Sequence, residues 1–266
     1  MLALTGATGA LGGRVATALS NLQPRLLVRD PSRAPRGFDQ VAACRYDAPS
    51  PEALSGVTTL FMVSGAESAT RREEHRAMIA AAAAAGVEHL VYTSFAGAAP
   101  DATFTLGRDH WDAETAIRES GMAFTLLRDN FYADLLPHFA DAEGVIRGPA
   151  GEGRVAAVAR AEVADVASVV LRAPGDHAGA TYVLTGPEAL TLAEVAARSG
   201  RVFEDETVEE AYASRRSAYP EAEQWQLDAW VSTYTAIADG SCAEVTDDVA
   251  RLSGHPARTL EEAMAS

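Results

Sequence analysis

The fold is decided by the stretch Thr5-Gly6-Ala7-Thr8-Gly9-Ala10-Leu11-Gly12-Gly13, which joins the apolar run Leu2–Thr5 to a helical pattern that begins at Leu11. Between a strand and a helix, the first glycine permits a tight turn, the second lets backbone amides approach a pyrophosphate, and the third lets the helix pack closely on the strand. The free amides and partial positive charge of the helix N-terminus favour an anion there. A tight turn without a ligand is the alternative. We predict a dinucleotide site formed by Gly6, Thr8, Gly9, Ala10, Leu11 and Gly12.

Strand and helix signals alternate through the first half of the chain. Short apolar runs predict strands at Leu2–Thr5, Arg25–Val28, Thr59–Val63, His89–Thr93 and Phe124–Leu127. Helical patterns between them cover Leu11–Ser20, Thr70–Ala85 and Gly107–Ser120. Two Thr/Glu pairs, Thr70 with Glu73 and Thr191 with Glu194, have the spacing of a capping box. This alternation predicts an α/β fold of the Rossmann type, a doubly wound parallel sheet covered by helices on both faces.

The pattern loosens after Arg128. The glycine-rich segment 144–153 predicts a loop, 163–171 a helix, 181–185 a strand and 192–199 a helix, and the residues from 201 onward are acidic and mostly helical in character. We therefore expect a Rossmann domain over residues 1–130, with residues 154–173 packing back onto it. A smaller, mostly helical C-terminal substrate lobe then comprises residues 131–153 and 174–266.

The composition excludes several kinds of chemistry. All 22 basic residues are Arg, so the chain has no Schiff-base lysine, no P-loop lysine and no Tyr-x-x-x-Lys dehydrogenase pair. Two Cys cannot form a disulfide framework, and the six His show no metal-ligand spacing, so we expect no metal. We expect a cytoplasmic protein, because no apolar run is long enough for a membrane span and no leader precedes the first strand.

Charge is distributed unevenly along the chain. The net charge of −15 argues against nucleic acid and anionic membranes as partners. We expect a small-molecule partner and a protein that is a monomer or a homodimer. Residues 1–50 nevertheless carry six Arg against three Asp, so an anionic small molecule would prefer this end of the chain. The acidic C-terminal part is typical of a solvated face.

Arg29 ends the second predicted strand, where folds that select NAD commonly place an acidic residue for the ribose 2′-hydroxyl. An Arg at this position instead favours a 2′-phosphate, and Arg33 is near enough to assist. We therefore expect NADP(H) to be preferred, with NAD(H) as the possible second coenzyme. The alternative is a pair of solvated arginines with Asp30 as a partial counter-charge. Asp47 is able either to bond the adenine amine or to cap the next turn.

Small polar residues end the next two strands of the predicted sheet. The predicted strand Thr59–Val63 ends at Val63-Ser64-Gly65, and the predicted strand His89–Thr93 ends at Thr93-Ser94-Phe95. The carboxyl ends of parallel strands share one edge of the sheet, so we expect Val63, Ser64, Gly65, Thr93 and Ser94 to lie beside the cofactor.

His110, Glu114 and Ile117 follow helical spacing and share one face of the third predicted helix. Ile117 marks that face as partly buried, and Glu114 is placed to orient the imidazole. His110 is therefore a candidate proton donor, and a packed or capping histidine is the equal alternative.

The order and spacing of several motifs resemble the NmrA-like, atypical short-chain dehydrogenase/reductase family, in particular its bacterial quinone reductases. These motifs are Val91-Tyr92-Thr93-Ser94, His110-x-x-x-Glu114-x-x-Ile117, Ser120-Gly121-x-x-Phe124-Thr125-Leu126-Leu127-Arg128, Arg160-Ala161-Glu162-Val163-Ala164, Leu184-Thr185-Gly186-Pro187-Glu188 and Leu252-Ser253-Gly254-His255-Pro256. The resemblance covers nearly the whole chain and implies NADPH and a substrate cleft shaped by the small lobe. Isoflavone-reductase-like relatives carry a catalytic Lys where this chain has His110.

The segment Asp129-Asn130-Phe131-Tyr132 resembles the family segment that meets the nicotinamide and the substrate, although Asp129 departs from the family pattern. This likeness implies that Asn130 contacts the cofactor. A planar acceptor would stack on Phe95, Phe131 and Tyr132, whose alternative role is simple core packing. A developing hydroquinone oxyanion needs a donor such as His110, Tyr132 or water.

We thus predict an NADPH-dependent reductase that transfers hydride to a quinone or a similar planar electron-poor molecule. One alternative is a non-catalytic NADP-sensing regulator, which the resemblance also allows. Another is a biosynthetic imine or enone reductase.

Overall fold

The computed structural model describes all residues from 1 to 266 and divides them into two compact units. Unit 1 comprises Met1–Ser94, Asp109–Arg128 and Ala161–Tyr182, and unit 2 comprises Phe95–Arg108, Asp129–Arg160 and Val183–Ser266. These units differ from the predicted domains in four segments. Residues 95–108, 129–130 and 154–160 belong to unit 2, and residues 174–182 belong to unit 1.

Eleven strands form in the order of the chain. They are β1 (Leu2–Thr5), β2 (Arg25–Val28), β3 (Val41–Ala43), β4 (Thr59–Met62), β5 (His89–Phe95), β6 (Ala123–Asp129), β7 (Val145–Gly148), β8 (Arg154–Val155), β9 (Thr181–Leu184), β10 (Leu190–Thr191) and β11 (Val202–Asp205). The predicted bounds of the first two strands match the structure, and the other predicted strands differ from it by one or two residues at their ends.

Ten α-helices accompany the strands. They are α1 (Ala10–Ala18), α2 (Pro51–Leu54), α3 (Arg71–Ala84), α4 (Thr105–Glu119), α5 (Arg160–Arg172), α6 (Leu192–Arg198), α7 (Val208–Ala218), α8 (Gln224–Ala238), α9 (Asp248–Ser253) and α10 (Leu260–Met264). The last four confirm the helical character predicted for the acidic C-terminal part. None of the helices combines the length and the apolar character that a membrane span requires.

The main sheet has seven strands in the order β3-β2-β1-β4-β5-β6-β9, and the pairs from β3 to β5 are parallel. Successive residues of a strand point to opposite faces of a sheet. Leu60, Phe61 and Met62 of β4 are consecutive and all fully buried, so helices cover both faces of the sheet. This arrangement confirms the predicted Rossmann-type fold. The strand order reverses between β1 and β4, and ligands of such sheets bind at the crevice beside that reversal.

The predicted loop over residues 144–153 is partly wrong, because Val145–Gly148 forms β7 and pairs in parallel with β11. Position 148 of this strand requires glycine because the ring of Tyr234 leaves no room for a side chain. A Cβ at this position would lie 2.2 Å from Tyr234 Cδ1. A glycine that favours a loop by composition is here required by packing.

One of the two predicted capping boxes is present. The Thr191 side chain accepts a hydrogen bond from the Glu194 amide, and the Glu194 carboxylate accepts one from the Thr191 amide. The box at Thr70 and Glu73 is wrong, because the Thr70 side chain caps no backbone amide and its hydroxyl donates to Glu74 Oε1 instead, at 2.7 Å.

Candidate active site

The turn between β1 and α1 has the backbone geometry of a phosphate-binding turn. Gly6 has φ +67°, in the left-handed region, and Gly9 caps α1 without any side-chain hydrogen bond or acidic residue in the first helical turn. A Cβ on Gly12 would lie 2.3 Å from the Gly6 carbonyl oxygen. The helix therefore starts directly against the strand end and presents uncapped amides, so the residues present fit a pyrophosphate.

The other residues predicted for this turn serve it in different ways. Thr8 and Ala10 are exposed, whereas the Leu11 side chain is buried in the core, so Leu11 can offer only its backbone. A Cβ on Gly6 would lie 2.9 Å from Val63 Cβ, which means that the β1 turn packs directly against the end of β4. The two turns that flank the strand-order reversal therefore touch.

Arg29 and Arg33 are both exposed, and neither forms an ion pair. Asp30 does not neutralise Arg29. Its Oδ1 accepts hydrogen bonds from the amide and the hydroxyl of Ser32, at 3.0 and 2.7 Å. These two bonds are the main reason that the pKa of Asp30 lies below its ordinary value. Two guanidinium groups thus stay available beside the end of β2.

Asp47 has neither a capping role nor an open carboxylate. Both of its oxygens accept from Arg45, at 2.9 and 2.7 Å, and this bond is the main cause of its lowered pKa. The cap of α2 is Ser50, whose hydroxyl accepts from the Ala53 amide. The capping alternative for Asp47 is therefore wrong, and its adenine contact stays a prediction.

The predicted residues at the ends of β4 and β5 lie in unit 1, where they divide into two groups. Thr93 Oγ1 accepts from the Ser64 amide at 2.8 Å, so these two residues support the turn that follows β4. Ser94 is buried, and its hydroxyl donates to Glu114 Oε1 at 2.6 Å. The Ser94 side chain is therefore occupied within the protein.

His110 is 7% exposed and belongs to a buried polar cluster. Its Nε2 lies 3.0 Å from Arg71 Nη2, which donates, and its Nδ1 lies 3.1 Å from the Tyr92 hydroxyl. The pKa of His110 lies well below its ordinary value, mainly because the imidazole is buried and secondly because of the Arg71 charge. A neutral imidazole with both nitrogens engaged favours the packed-histidine alternative, and its catalytic role stays a prediction.

Glu114 does not orient this imidazole, contrary to the expectation from helical spacing. Its carboxylate is fully buried and accepts hydrogen bonds from Ser94, Arg118 and Arg128. The Arg128 guanidinium forms two bonds to it, at 2.8 and 2.7 Å. The Glu114 carboxylate therefore links α4 to the ends of β5 and β6 and stabilises the folded structure.

The first candidate residue of unit 2 in this stretch of the chain is Asp129. This carboxyl group is 5% exposed; its Oδ2 accepts from the Tyr132 hydroxyl, and its Oδ1 is buried without any hydrogen-bond partner. Burial raises the pKa of Asp129 to about 7, and the bond from Tyr132 opposes the rise. Burial and the Asp129 charge also raise the pKa of Tyr132 well above its ordinary value. The pair can hold an exchangeable proton near neutral pH.

The Asn130 side chain is committed to the protein backbone of unit 2. Its amide nitrogen donates to the Cys242 carbonyl at 2.9 Å, and its oxygen accepts from the Phe131 amide at 2.8 Å. These bonds fix the segment that carries Phe131 and Tyr132. The predicted contact of Asn130 with the cofactor stays a prediction.

Three aromatic rings of unit 2 pack on one another, and the sequence had indicated only two of them. Phe95, Phe104 and Phe131 have centroid distances of 4.9, 5.0 and 5.1 Å. Phe95 is buried in the core, whereas Phe104 and Phe131 are only partly buried. Phe104 precedes α4 in a segment without strand or helix periodicity, so no sequence signal placed it here.

A cavity of about 550 Å³ lies wholly in unit 2, among the residues of β7, α7 and α8 and the chain before β7. Its aromatic walls come from Phe139, Tyr219, Trp230 and Tyr234. No sequence-predicted site residue lines it. The volume falls in the range of small-molecule sites, which are commonly apolar with a few polar groups.

Comparison with known proteins agrees with this geometry. A family model described as NAD(P)H-binding matches residues 6–174. The chain is 31% identical to quinone oxidoreductase 2 of Escherichia coli over 99% of this chain and 97% of that protein. A crystal structure of the E. coli NADPH-dependent quinone oxidoreductase with NADPH superposes with a TM-score of 0.86 at 31% identity, over 100% of this chain and 99% of that one.

Two further relatives have other names. The chain is 34% identical to an NAD(P)H azoreductase of Xenophilus azovorans over 98% of this chain and 96% of that protein. It is 29% identical to an NmrA-like oxidoreductase of Aspergillus flavus over 72% of this chain and 68% of that protein. The protein therefore belongs to the NAD(P)H-binding family of NmrA-like oxidoreductases, which confirms the resemblance read from the motifs.

Proposed function

We propose that this protein is an NADPH-dependent reductase that transfers hydride to a quinone or a similar planar electron-poor molecule. The observation that carries the proposal is the β1–α1 turn, where Gly12 admits no side chain and the first helical turn has no cap. The relatives named as quinone and azo-compound reductases support the same class of acceptor.

The preference for NADPH rests on Arg29 and Arg33. Both are exposed near the end of β2, and Asp30, which follows Arg29 in the sequence, is bonded to Ser32. A 2′-phosphate would gain charge-assisted bonds from these guanidinium groups, whereas a 2′-hydroxyl would not. When bound, the reduced nicotinamide supplies the hydride.

The acceptor class is supported by the aromatic cavity of unit 2. Planar electron-poor rings stack on Trp and Tyr faces. The two arginines of the cavity already have acidic partners: Arg147 pairs with Asp141 and Glu204, and Arg215 pairs with Glu206. A cavity with aromatic walls and balanced charge favours a neutral planar molecule over an anion.

Reduction of a quinone also requires a proton, and we assign its supply to the Tyr132 hydroxyl. With Asp129 ionised, the Tyr132 hydroxyl donates a hydrogen bond to Oδ2. With Asp129 protonated at Oδ2, the carboxyl group donates its hydrogen bond to the Tyr132 oxygen; the phenol proton can then pass to the acceptor while the carboxyl proton passes to the phenol oxygen, which leaves Asp129 ionised and Tyr132 neutral. Because Asp129 has a pKa of about 7, both states exist near neutral pH.

The test is an assay of purified protein with NADPH and a panel of quinones and azo compounds, with a saturated ketone as the non-planar control. We expect loss of the nicotinamide absorbance with planar acceptors only. Tyr132→Phe should lower turnover by about a hundredfold or more without weakening NADPH binding. Coenzyme binding without turnover of any acceptor would overturn the proposal in favour of a sensor of NADP.

A further inference from the structure

The turn that follows β4, residues Val63–Gly65, has its backbone held almost entirely by side chains. The Val63 amide donates to Thr5 Oγ1 at 2.9 Å, and the Val63 carbonyl accepts from the Tyr46 hydroxyl at 2.5 Å. The Ser64 amide donates to Thr93 Oγ1 at 2.8 Å. Side chains from three separate parts of unit 1 thus replace the ladder bonds that would continue the strand.

The Gly65 peptide groups are held by helix α3. The Gly65 amide donates to His75 Nε2 at 2.8 Å, and the Gly65 carbonyl accepts from Arg71 Nε at 3.0 Å. A Cβ on Gly65 would lie 3.2 Å from His75 Nε2, so the close approach of the imidazole uses the missing side chain. One helix therefore fixes both the donor and the acceptor of this residue.

Three residues carry six backbone polar groups, and five of these groups are engaged in the bonds described above. The sixth is the carbonyl of Ser64, the turn's remaining acceptor. The turn lies at the carboxyl end of β4, next to the reversal of strand order between β1 and β4, and it contacts Gly6 through Val63. A sugar hydroxyl is the kind of group that donates to such a carbonyl.

We infer that Arg71 and His75 are positioning residues, which hold the Gly65 peptide so that the Ser64 carbonyl accepts a hydrogen bond from a ribose hydroxyl of the dinucleotide. The inference rests on the proposed function, because it takes the dinucleotide as the ligand. Neither side chain needs to touch the cofactor. Their effect is to remove the conformational freedom that the turn would otherwise lose on binding.

The buried polar cluster explains how Arg71 can perform this task. Arg71 is 4% exposed, its charge is compensated by Asp109 at 3.5 Å, and its Nη2 donates a hydrogen bond to the neutral His110 Nε2 at 3.0 Å. His75 must be neutral at Nε2 to accept from Gly65, and burial lowers its pKa to about 3. The positive charge of Arg71 adds to this lowering of the His75 pKa, because it disfavours a second cation beside it.

The test compares three variants of buried histidines. His75→Leu removes the acceptor of the Gly65 amide, and His75→Gln supplies another one through its side-chain oxygen. His89→Leu is the matched control, because His89 is also buried on the sheet but bonds to Thr125 and contacts no group of the turn. Each protein is studied by calorimetry with NADPH, by amide exchange at Gly65 without any ligand, and by urea unfolding.

We expect His75→Leu to weaken NADPH binding about tenfold, to accelerate amide exchange at Gly65, and to leave kcat at saturating NADPH within about twofold. His75→Gln should restore binding to within about threefold, and His89→Leu should bind as the natural protein does. Unchanged binding in His75→Leu, or an equal loss in His89→Leu, would overturn the inference. If the Leu variant does not fold, Tyr46→Phe removes the donor to Val63 without a change of shape and should weaken binding about fivefold.

Failure of this inference is distinguishable from failure of the proposed function. Absence of NADPH binding to the natural protein would refute the proposed function. Amide exchange at Gly65 without ligand tests only whether His75 holds this amide. Slow exchange that is unaffected by His75→Leu would refute the inference.

Discussion

Replacing Asp129 by Asn should make the protein more stable at high pH and change little at low pH. The carboxyl group is 5% exposed, one of its oxygens has no partner, and its pKa is raised to about 7. Between the ordinary value of 3.8 and about 7, the folded state therefore holds a proton that the unfolded state releases. Folding stability must decline as the pH rises through this window, because the folded state binds more protons.

The size of the effect follows from the same two values. A rise from 3.8 to about 7, at about 1.4 kcal/mol for each pH unit, gives about 4 kcal/mol of stability lost between pH 4 and pH 8. Asn cannot ionise, and its side-chain oxygen can still accept from the Tyr132 hydroxyl. The difference in unfolding free energy between Asp129→Asn and the natural protein should therefore grow by up to about 4 kcal/mol over this range.

Urea unfolding at pH 4, 5, 6, 7 and 8 measures this difference, since contributions from all other titrating groups cancel between the two proteins. Asp101→Asn is the matched control, because Asp101 is exposed. Its difference from the natural protein should be constant with pH. A constant difference for Asp129→Asn as well would refute the reasoning, because it would mean that Asp129 ionises at its ordinary pKa.

Four further predictions concern ligand binding and activity. Arg29→Ala should weaken NADPH binding by about 1.5–3 kcal/mol in calorimetry and leave NADH binding unchanged; equal losses would contradict a 2′-phosphate contact. Gly12→Ala should lower the unfolding free energy by about 1–3 kcal/mol and abolish coenzyme binding, whereas retained binding would contradict the close helix start. His110→Ala should weaken NADPH binding more than it lowers kcat, since its imidazole supports Arg71; a loss confined to kcat would instead restore its role as proton donor. Titration with a naphthoquinone should quench tryptophan fluorescence, and Trp230→Phe should lose this response while Trp225→Phe keeps it; the reverse result would exclude the cavity as the acceptor site.

Much of the sheet was predictable because its strands are covered on both faces. A run such as Leu60-Phe61-Met62 is continuously apolar because both of its faces are buried, and its short length favours a strand over a helix. The strand β7 escaped prediction because Gly148 and the following Pro149 are typical of loops. The reason for Gly148 is the Tyr234 ring, which lies far away in the sequence.

Capping boxes show the limit of local patterns more directly. Thr191 and Thr70 have the same spacing to a following Glu, yet only Thr191 has the extended backbone that aims a hydroxyl at the third amide, with φ −72° and ψ 159°. Thr70 has φ −106° and ψ 16°. The path of the chain before the helix determines this backbone conformation, and the Thr/Glu spacing does not.

For the candidate site, the sequence indicated which backbone segments matter but not which side chains hold them. Val63, Ser64 and Gly65 were expected from their place at a strand end. Arg71 and His75 were not, because a hydrogen bond from α3 to this turn leaves no periodic or compositional signal. Turns are therefore easier to predict from a sequence than the side chains that support them.

Glu114 and Asp129 show why partners, and not residue type, determine which acid can supply a proton. Glu114 is fully buried, but two guanidinium groups and the Ser94 hydroxyl donate to it, so its negative charge is compensated. Asp129 is equally enclosed and has one phenol donor and no cationic partner among its hydrogen bonds. Burial without such compensation favours the neutral acid, which is the form that carries a transferable proton. The proton for the reaction is therefore expected from Asp129 through Tyr132, although the helical pattern of the sequence drew attention to the pair of His110 and Glu114.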